Sequence, residues 1–101
     1  MKRFLVRYKA KPEKVDENAG LIANVFQELH AKAPEDVRYL VLKLDDGTFL
    51  HFVADKTADG RNPIPELPAF RSFQGGIKER CAEPPKSAEV TVVGNYRMLG
   101  S

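Results

Sequence analysis

The sequence predicts an α+β sandwich built in the order strand, helix, strand, strand, helix, strand. Three observations carry this. Apolar and charged side chains alternate through FLVRYK, Phe4 to Lys9, the period-two signature of a half-buried strand. Two longer segments, Lys11 to Pro34 and Leu67 to Cys81, place their apolar residues at helical spacing instead. Asp45-Asp46-Gly47 is a strong turn signal between two apolar, β-branched runs.

The elements follow in order. After the first strand, Pro12 suits a first helical turn, and Glu13 and Asp16 favour the positive end of the helix dipole. Val15, Ala19, Ile22, Val25, Phe26 and Leu29 then recur on one face until Pro34 stops the helix. VRYLVLKL, Val37 to Leu44, and TFLHFVAD, Thr48 to Asp55, read as strands joined by the turn. An irregular stretch, KTADGRNPIPELP, delivers the chain into LPAFRSFQGGIKERC. There Leu67, Phe70, Phe73, Ile77 and Cys81 form one stripe, and Pro84-Pro85 is expected to close the helix. AEVTVVGNYRML is expected to be the last strand. Right-handed crossovers then put both helices on one face of a four-stranded antiparallel sheet, the ferredoxin-like βαββαβ plan, with residues 1–99 as a single domain.

Such a sheet has a second face, and its composition matters. A three-residue loop with Gly47 left-handed sets Leu44 opposite Thr48 and Leu42 opposite Leu50. One side of the hairpin then shows Leu40, Leu42, Leu44, Leu50 and Phe52; the other shows Tyr39, Val41, Lys43, Phe49, His51 and Val53. Neither side is polar, yet two helices cover only one. A second copy of the chain is the simplest cover, so a homodimer is expected, the two sheets closing into an α/β barrel.

Composition narrows the function. With 43% hydrophobic and 30% charged residues, the chain of 101 residues reads as globular rather than disordered. Sixteen basic residues are interspersed with fourteen acidic ones for a net charge of +2, so no basic block points to nucleic acid or to an anionic membrane. The apolar runs are too short for a membrane span, and the alternating N-terminus does not resemble a signal peptide. The single cysteine, Cys81, allows no internal disulfide and fits a reducing compartment, so a cytoplasmic location is expected.

Chemistry-bearing residues are few. Asn18 and Gln74 both fall within apolar stripes, where an unsatisfied amide costs about 1–3 kcal/mol. Either they line a small cavity between helices and sheet as ligand-binding groups, or each bonds nearby backbone at a stripe edge. Gly75-Gly76 either admits a close neighbour to bare backbone or marks a kink. His51 is the only histidine in a predicted strand; it is the candidate catalytic base, or a structural residue of an apolar face. Tyr8, Tyr39 and Tyr96 lie in three strands and can place hydroxyls at a pocket or an interface, and Tyr8 is included among the ligand-binding candidates. Phe70 is a further candidate contact for an aromatic ligand, or simply core. Two distant histidines and one cysteine give no metal-ligand spacing, so neither metal nor other cofactor is expected.

With those segments laid out, from FLVRYKAKPE through LIANVFQEL, RYLVLKLDDGTFLHFVAD and LPAFRSFQGGIKERC to VTVVGNYR, the chain resembles the antibiotic-biosynthesis-monooxygenase-like family of dimeric α/β barrels. The resemblance implies paired ferredoxin-like subunits and, for some members, cofactor-independent oxidation of an aromatic molecule. It does not extend to haem degradation, because no histidine lies between Leu67 and Cys81 and the chain has no tryptophan. Two functions are therefore carried forward: binding or oxidation of a small hydrophobic or aromatic molecule, and a non-catalytic dimer that binds a ligand or partner.

Overall fold

The structure is a computed structural model that describes residues 2–35, 37–55 and 63–98, with the side chain of residue 55 excepted. The strands are β1 (Lys2–Ala10), β2 (Val37–Lys43), β3 (Thr48–Asp55) and β4 (Cys81–Glu89). The helices are α1 (Val15–Lys32), α2 (Pro68–Gln74) and α3 (Ile77–Arg80), and short 3-10 turns at Pro12–Lys14 and Ile64–Glu66 lead into α1 and α2. The strands form one sheet in the order β2-β3-β1-β4, all pairs antiparallel, with the helices on one face. This is the ferredoxin-like plan expected from the sequence.

The hairpin register also agrees with expectation. Leu42 pairs with Leu50, the Leu44 amide donates to the Thr48 carbonyl at 2.8 Å, and Gly47 has φ of +87°. The Thr48 amide donates to Asp46 Oδ1 at 2.9 Å, and hydrogen bonding from the Thr48 side chain first, and from this amide second, lowers the Asp46 carboxyl from its ordinary value. Pairing sorts the side chains by face. Tyr8, Phe49 and His51 turn toward the helices and are buried, with Tyr39 and Val41 packed partly buried against the same core. Leu40, Leu42 and Leu44 lie on the opposite face and are exposed. They continue there into Phe52 and Leu5, and into Leu50, through the pairs Leu40–Phe52, Leu5–Phe52 and Leu42–Leu50.

The second half of the chain departs from expectation in two places. The helix expected over Leu67–Cys81 is broken: α2 ends at Gln74, Gly75-Gly76 intervenes, and α3 is a single turn. The last strand also begins earlier than expected. β4 starts at Cys81 and includes Pro84-Pro85, which therefore do not close a helix. Prolines are tolerated there because β4 is an edge strand, and because the β1–β4 register shifts between Arg7 and Lys9, opposite the proline pair. Beyond Glu89 the Val90 amide still donates to the Arg3 carbonyl at 2.8 Å. The described residues after it, to Met98, form no strand, although VTVV has strong β propensity. Val93, Tyr96 and Met98 are exposed. Propensity yields here to position, since the segment that leaves α3 already occupies the edge of β1. Most of the irregular stretch after Asp55, and Leu99, lie outside the described residues.

Gly47 fixes the hairpin. A Cβ there would have to adopt φ of +87° and would sit 3.3 Å from Val15 Cγ2 and 3.4 Å from the Ala10 carbonyl oxygen. Gly47→Ala is expected to lose about 1–2 kcal/mol in urea denaturation with the circular dichroism spectrum unchanged.

Candidate functional site

At the centre of the helix-covered face, side chains from three strands, α1 and α3 meet in one chain of hydrogen bonds. His51 stands on β3 with Tyr8 across the sheet on β1 and Tyr39 on β2. Tyr8 Oη lies 2.9 Å from His51 Nε2, and Tyr39 Oη lies 2.6 Å from His51 Nδ1. Asn18, in the first turns of α1, donates from Nδ2 to Tyr8 Oη at 2.8 Å. Arg80, the last residue of α3, donates from Nε to Asn18 Oδ1 at 3.0 Å and from Nη2 to the Phe73 carbonyl. The group is sealed from water: exposure is 2% for Tyr8, 0% for Asn18, and 4% each for His51 and Arg80.

The sequence builds this centre by local means. Alternation along β1 and β3 turns Tyr8 and His51 to the same side, and the helical stripe of α1 points Asn18 at them. Arg80 arrives because the helix breaks at Gly75-Gly76 and restarts. A Cβ on Gly76 would lie 3.2 Å from Arg80 Nη1, so bare backbone gives the guanidinium its berth. The Lys11 amide donating to the Arg80 carbonyl at 2.8 Å pins the same residue to the end of β1. Phe73 roofs the group: its ring centroid is 5.5 Å from His51 and 6.3 Å from Tyr8, and the Arg80 guanidinium lies 5.3 Å from it. Tyr8 stacks on Phe49 at 5.4 Å, completing the apolar surround.

Burial decides the charges. It holds His51 down to about 4, so the imidazole is neutral at pH 7. It pushes both Tyr8 and Tyr39 well above the ordinary phenol range, so a tyrosinate base is disfavoured. The Asn18 bond opposes that rise at Tyr8 without cancelling it. Arg80 is the one cation inside the group, and no salt bridge to it occurs among the described residues.

These roles have a direction. A guanidinium only donates, so the Asn18 carbonyl must face Arg80 and its NH2 must face Tyr8. Tyr8 oxygen thus accepts from Asn18. Were it also to accept from His51, its own hydrogen would lack an acceptor in a sealed site, at a cost of about 1–3 kcal/mol. Tyr8 therefore donates to Nε2. The neutral imidazole carries its hydrogen on Nδ1 and donates to Tyr39 oxygen. Every bond from Arg80 to Tyr39 then points the same way.

Of the residues singled out from sequence, the structure joins four, His51, Asn18, Tyr8 and Tyr39. Phe70 packs beside Phe73 at 5.7 Å, partly buried, one ring removed from the group. Gln74 is exposed, and the expected cavity shared with Asn18 is not there. Two turns of helix do not continue past Gln74, and Phe73 takes the inward position at the break. Tyr96 is exposed in the tail. Arg80 was not a sequence candidate. Cys81 opens β4 rather than ending a helix, and burial, not a helix dipole, raises its thiol. Among the described residues no cluster of three or more His, Cys, Asp or Glu side chains could hold a metal ion, and no helix is long and apolar enough to cross a membrane.

At least two hollows border the helix-covered face among the described residues. One, of about 260 Å³, lies between the end of α1 and the start of β2 and is lined by Phe26, Leu29, His30, Ala33, Pro34, Val37 and Tyr39. The other, of about 490 Å³, lies between α1 and the hairpin and includes Ile22, Leu40, Lys43 and Phe49. Of these two, only the first touches the hydrogen-bonded group, at Tyr39.

No protein-family model matches the sequence, and no curated protein matches it. Solved structures do share the fold. A candidate antibiotic biosynthesis monooxygenase from Nitrosomonas europaea superposes with a TM-score of 0.73 at 17% identity, covering 91% of this chain and 89% of that one. A second candidate antibiotic biosynthesis monooxygenase, from Caulobacter crescentus, gives 0.73 at 14% identity over 92% of this chain and 90% of the other. A protein of unknown function from Nitrosomonas europaea gives 0.70 at 21% identity over 94% and 91%. The chain therefore shares the fold of these structures.

The depressed histidine makes stability depend on pH. Above pH 6.5 the imidazole is neutral folded or unfolded and adds no slope. Between pH 6.5 and about 4 the unfolded chain takes up a proton that folded His51 refuses, so stability falls as pH falls, by about 3 kcal/mol in all. Urea unfolding at several pH values should show this extra loss in the native protein and not in His51→Asn.

Proposed function

We propose that the chain works as a homodimer that binds a small hydrophobic or aromatic molecule without a cofactor, and that His51 acts on that molecule through Tyr39. The observation that carries this reading is the neutral imidazole held between two tyrosine hydroxyls, one of which belongs to a residue lining an apolar hollow of about 260 Å³. Both ring nitrogens are engaged, so His51 reaches a ligand by way of a hydroxyl rather than directly. A tuned, water-free polar group beside apolar space is the usual form of a small-molecule site. The fold shared with candidate monooxygenases supports the oxidative version, in which a substrate that binds already ionised, its proton left to solvent, gives electrons to dioxygen and the protein supplies apolar space and a hydrogen bond to the substrate oxyanion.

The second reading, a non-catalytic dimer that binds a ligand or partner, is favoured by one observation: Asn18 is fully buried and spent on Tyr8 and Arg80, so no open pocket surrounds it. Native mass spectrometry of protein purified without additives separates the readings. A stoichiometric low-mass organic molecule, consumed on exposure to air, supports oxidation; the same molecule retained unchanged supports binding alone. Protein that carries no such molecule and takes up none from an extract of small metabolites contradicts the first reading and leaves the second only as a partner-binding dimer.

The dimer rests on the open sheet face. Leu40, Leu42 and Leu44 are exposed there beside Leu50 and Phe52, and Val93, Tyr96 and Met98 of the tail are exposed as well. A two-fold pairing of such faces buries about 1,600 Å² or more in total. Light scattering at micromolar concentration should give twice the chain mass, and Leu42→Asp, which sets a charge in the middle of the face, should give the monomer. A native protein that scatters as a monomer contradicts the proposal.

A further inference from the structure

We infer that the Tyr39 hydroxyl donates the hydrogen bond that recognises the ligand, and that the ligand is a small, mostly apolar molecule with one acceptor oxygen, a ketone carbonyl or a phenolate, seated between the end of α1 and the start of β2. This rests on the small-molecule reading above and adds which atom meets the ligand and in which direction.

The inference comes from accounting for hydrogens. Arg80 fixes the Asn18 amide, Asn18 fixes Tyr8 as an acceptor toward α1, and Tyr8 must then give its hydrogen to His51 Nε2. His51 gives its own to Tyr39 oxygen at 2.6 Å. Each hydrogen on the line of bonds from Arg80 Nε through Asn18, Tyr8 and His51 therefore has its acceptor. The Tyr39 hydrogen has no acceptor among the described residues, and the space that Tyr39 borders is the hollow lined with Phe26, Leu29, His30, Ala33, Pro34 and Val37. A donor with nothing to donate to, at the wall of an apolar space, selects an acceptor. Bonds that all point one way polarise one another, so the last hydroxyl is a stronger donor than an isolated phenol.

Size and shape narrow the class. The hollow is open on one side, and its volume of about 260 Å³ leaves room for one ring with a short substituent. Phe26 lies against Tyr39 with centroids 5.0 Å apart and 28° between planes, which holds the phenol ring in place. His30, in the last turn of α1, is the only other ionisable side chain on the lining among the described residues. The larger hollow offers Lys43 and no hydroxyl, and it is not joined to the buried group.

The test uses two probes of nearly the same shape, acetophenone and α-methylstyrene, which differ in a carbonyl oxygen against a methylene. Titrations followed by NMR on the Leu29 and Val37 methyl groups give both affinities. Tyr39→Phe should weaken acetophenone about five- to tenfold and leave α-methylstyrene within about twofold, the factor expected for one hydrogen bond. The native protein provides a check that needs no variant: the infrared carbonyl stretch of bound acetophenone should fall below its value in an alkane solvent. An unshifted stretch, or equal weakening of both probes by Tyr39→Phe, overturns the assignment of Tyr39 as donor. If neither probe moves the Leu29 and Val37 signals, the hollow is not the ligand site and the inference falls, whereas the small-molecule reading is decided separately by what co-purifies.

Discussion

The centre of this fold is organised by one constraint: Arg80 is a buried cation that can only donate. Burying a guanidinium is costly unless its hydrogens find acceptors. Here the acceptors are the Asn18 amide oxygen and the Phe73 carbonyl, with the Phe73 ring beneath the charge. Once Arg80 is seated, the orientation of Asn18 is no longer free, nor is the hydrogen of Tyr8, nor the tautomer of His51. A charge at the helix break is thereby read out at Tyr39, four residues along the chain of bonds.

The backbone serves that constraint. The break at Gly75-Gly76 turns α3 so that Arg80 points inward rather than along the stripe, and β4 begins immediately afterwards, its first residue paired with Ala10. The Lys11 amide on the Arg80 carbonyl fastens the turn from outside. A continuous helix to Cys81 would have carried Arg80 past the core. The same event accounts for the early start of β4 and for the proline pair in its edge: a strand entered this soon fills the β1 edge, and the more β-prone VTVV is left over. Among the described residues, a tail outside its own sheet and an apolar face without helices over it are what the proposed two-fold partner would cover.

Much of this was legible in the sequence, because it depends on period and turn chemistry. The Asp45–Gly47 turn and the alternation on either side of it fixed the hairpin register and put Tyr39 and His51 on one face, and the stripe of α1 marked the helix side that packs. Asn18 stood out as an amide on an apolar stripe, and the structure gives it the two partners that burial demands. Gln74 stood out on the same grounds and lies in water. Its stripe was projected through two glycines, and helical arithmetic fails once the helix ends. Arg80 was invisible for a related reason. Charged residues are mostly solvated, and only the turn at Gly76 sends this one inside. The strand at Cys81–Glu89 was missed because proline argues against a strand, an argument that weakens at an edge and beside a register shift.

The direction of the bonds from Arg80 to Tyr39 is the central claim, and the His51 ring reports it most directly. Long-range nitrogen–proton correlation NMR distinguishes a ring protonated at Nδ1 from one protonated at Nε2, and both from the imidazolium. The account predicts a neutral ring with its hydrogen on Nδ1, unchanged from pH 7 to about 5, in keeping with a pKa of about 4. A hydrogen on Nε2, or an even mixture of the two forms, would mean that Tyr8 accepts rather than donates, and that the chain of bonds does not run from Arg80 to Tyr39.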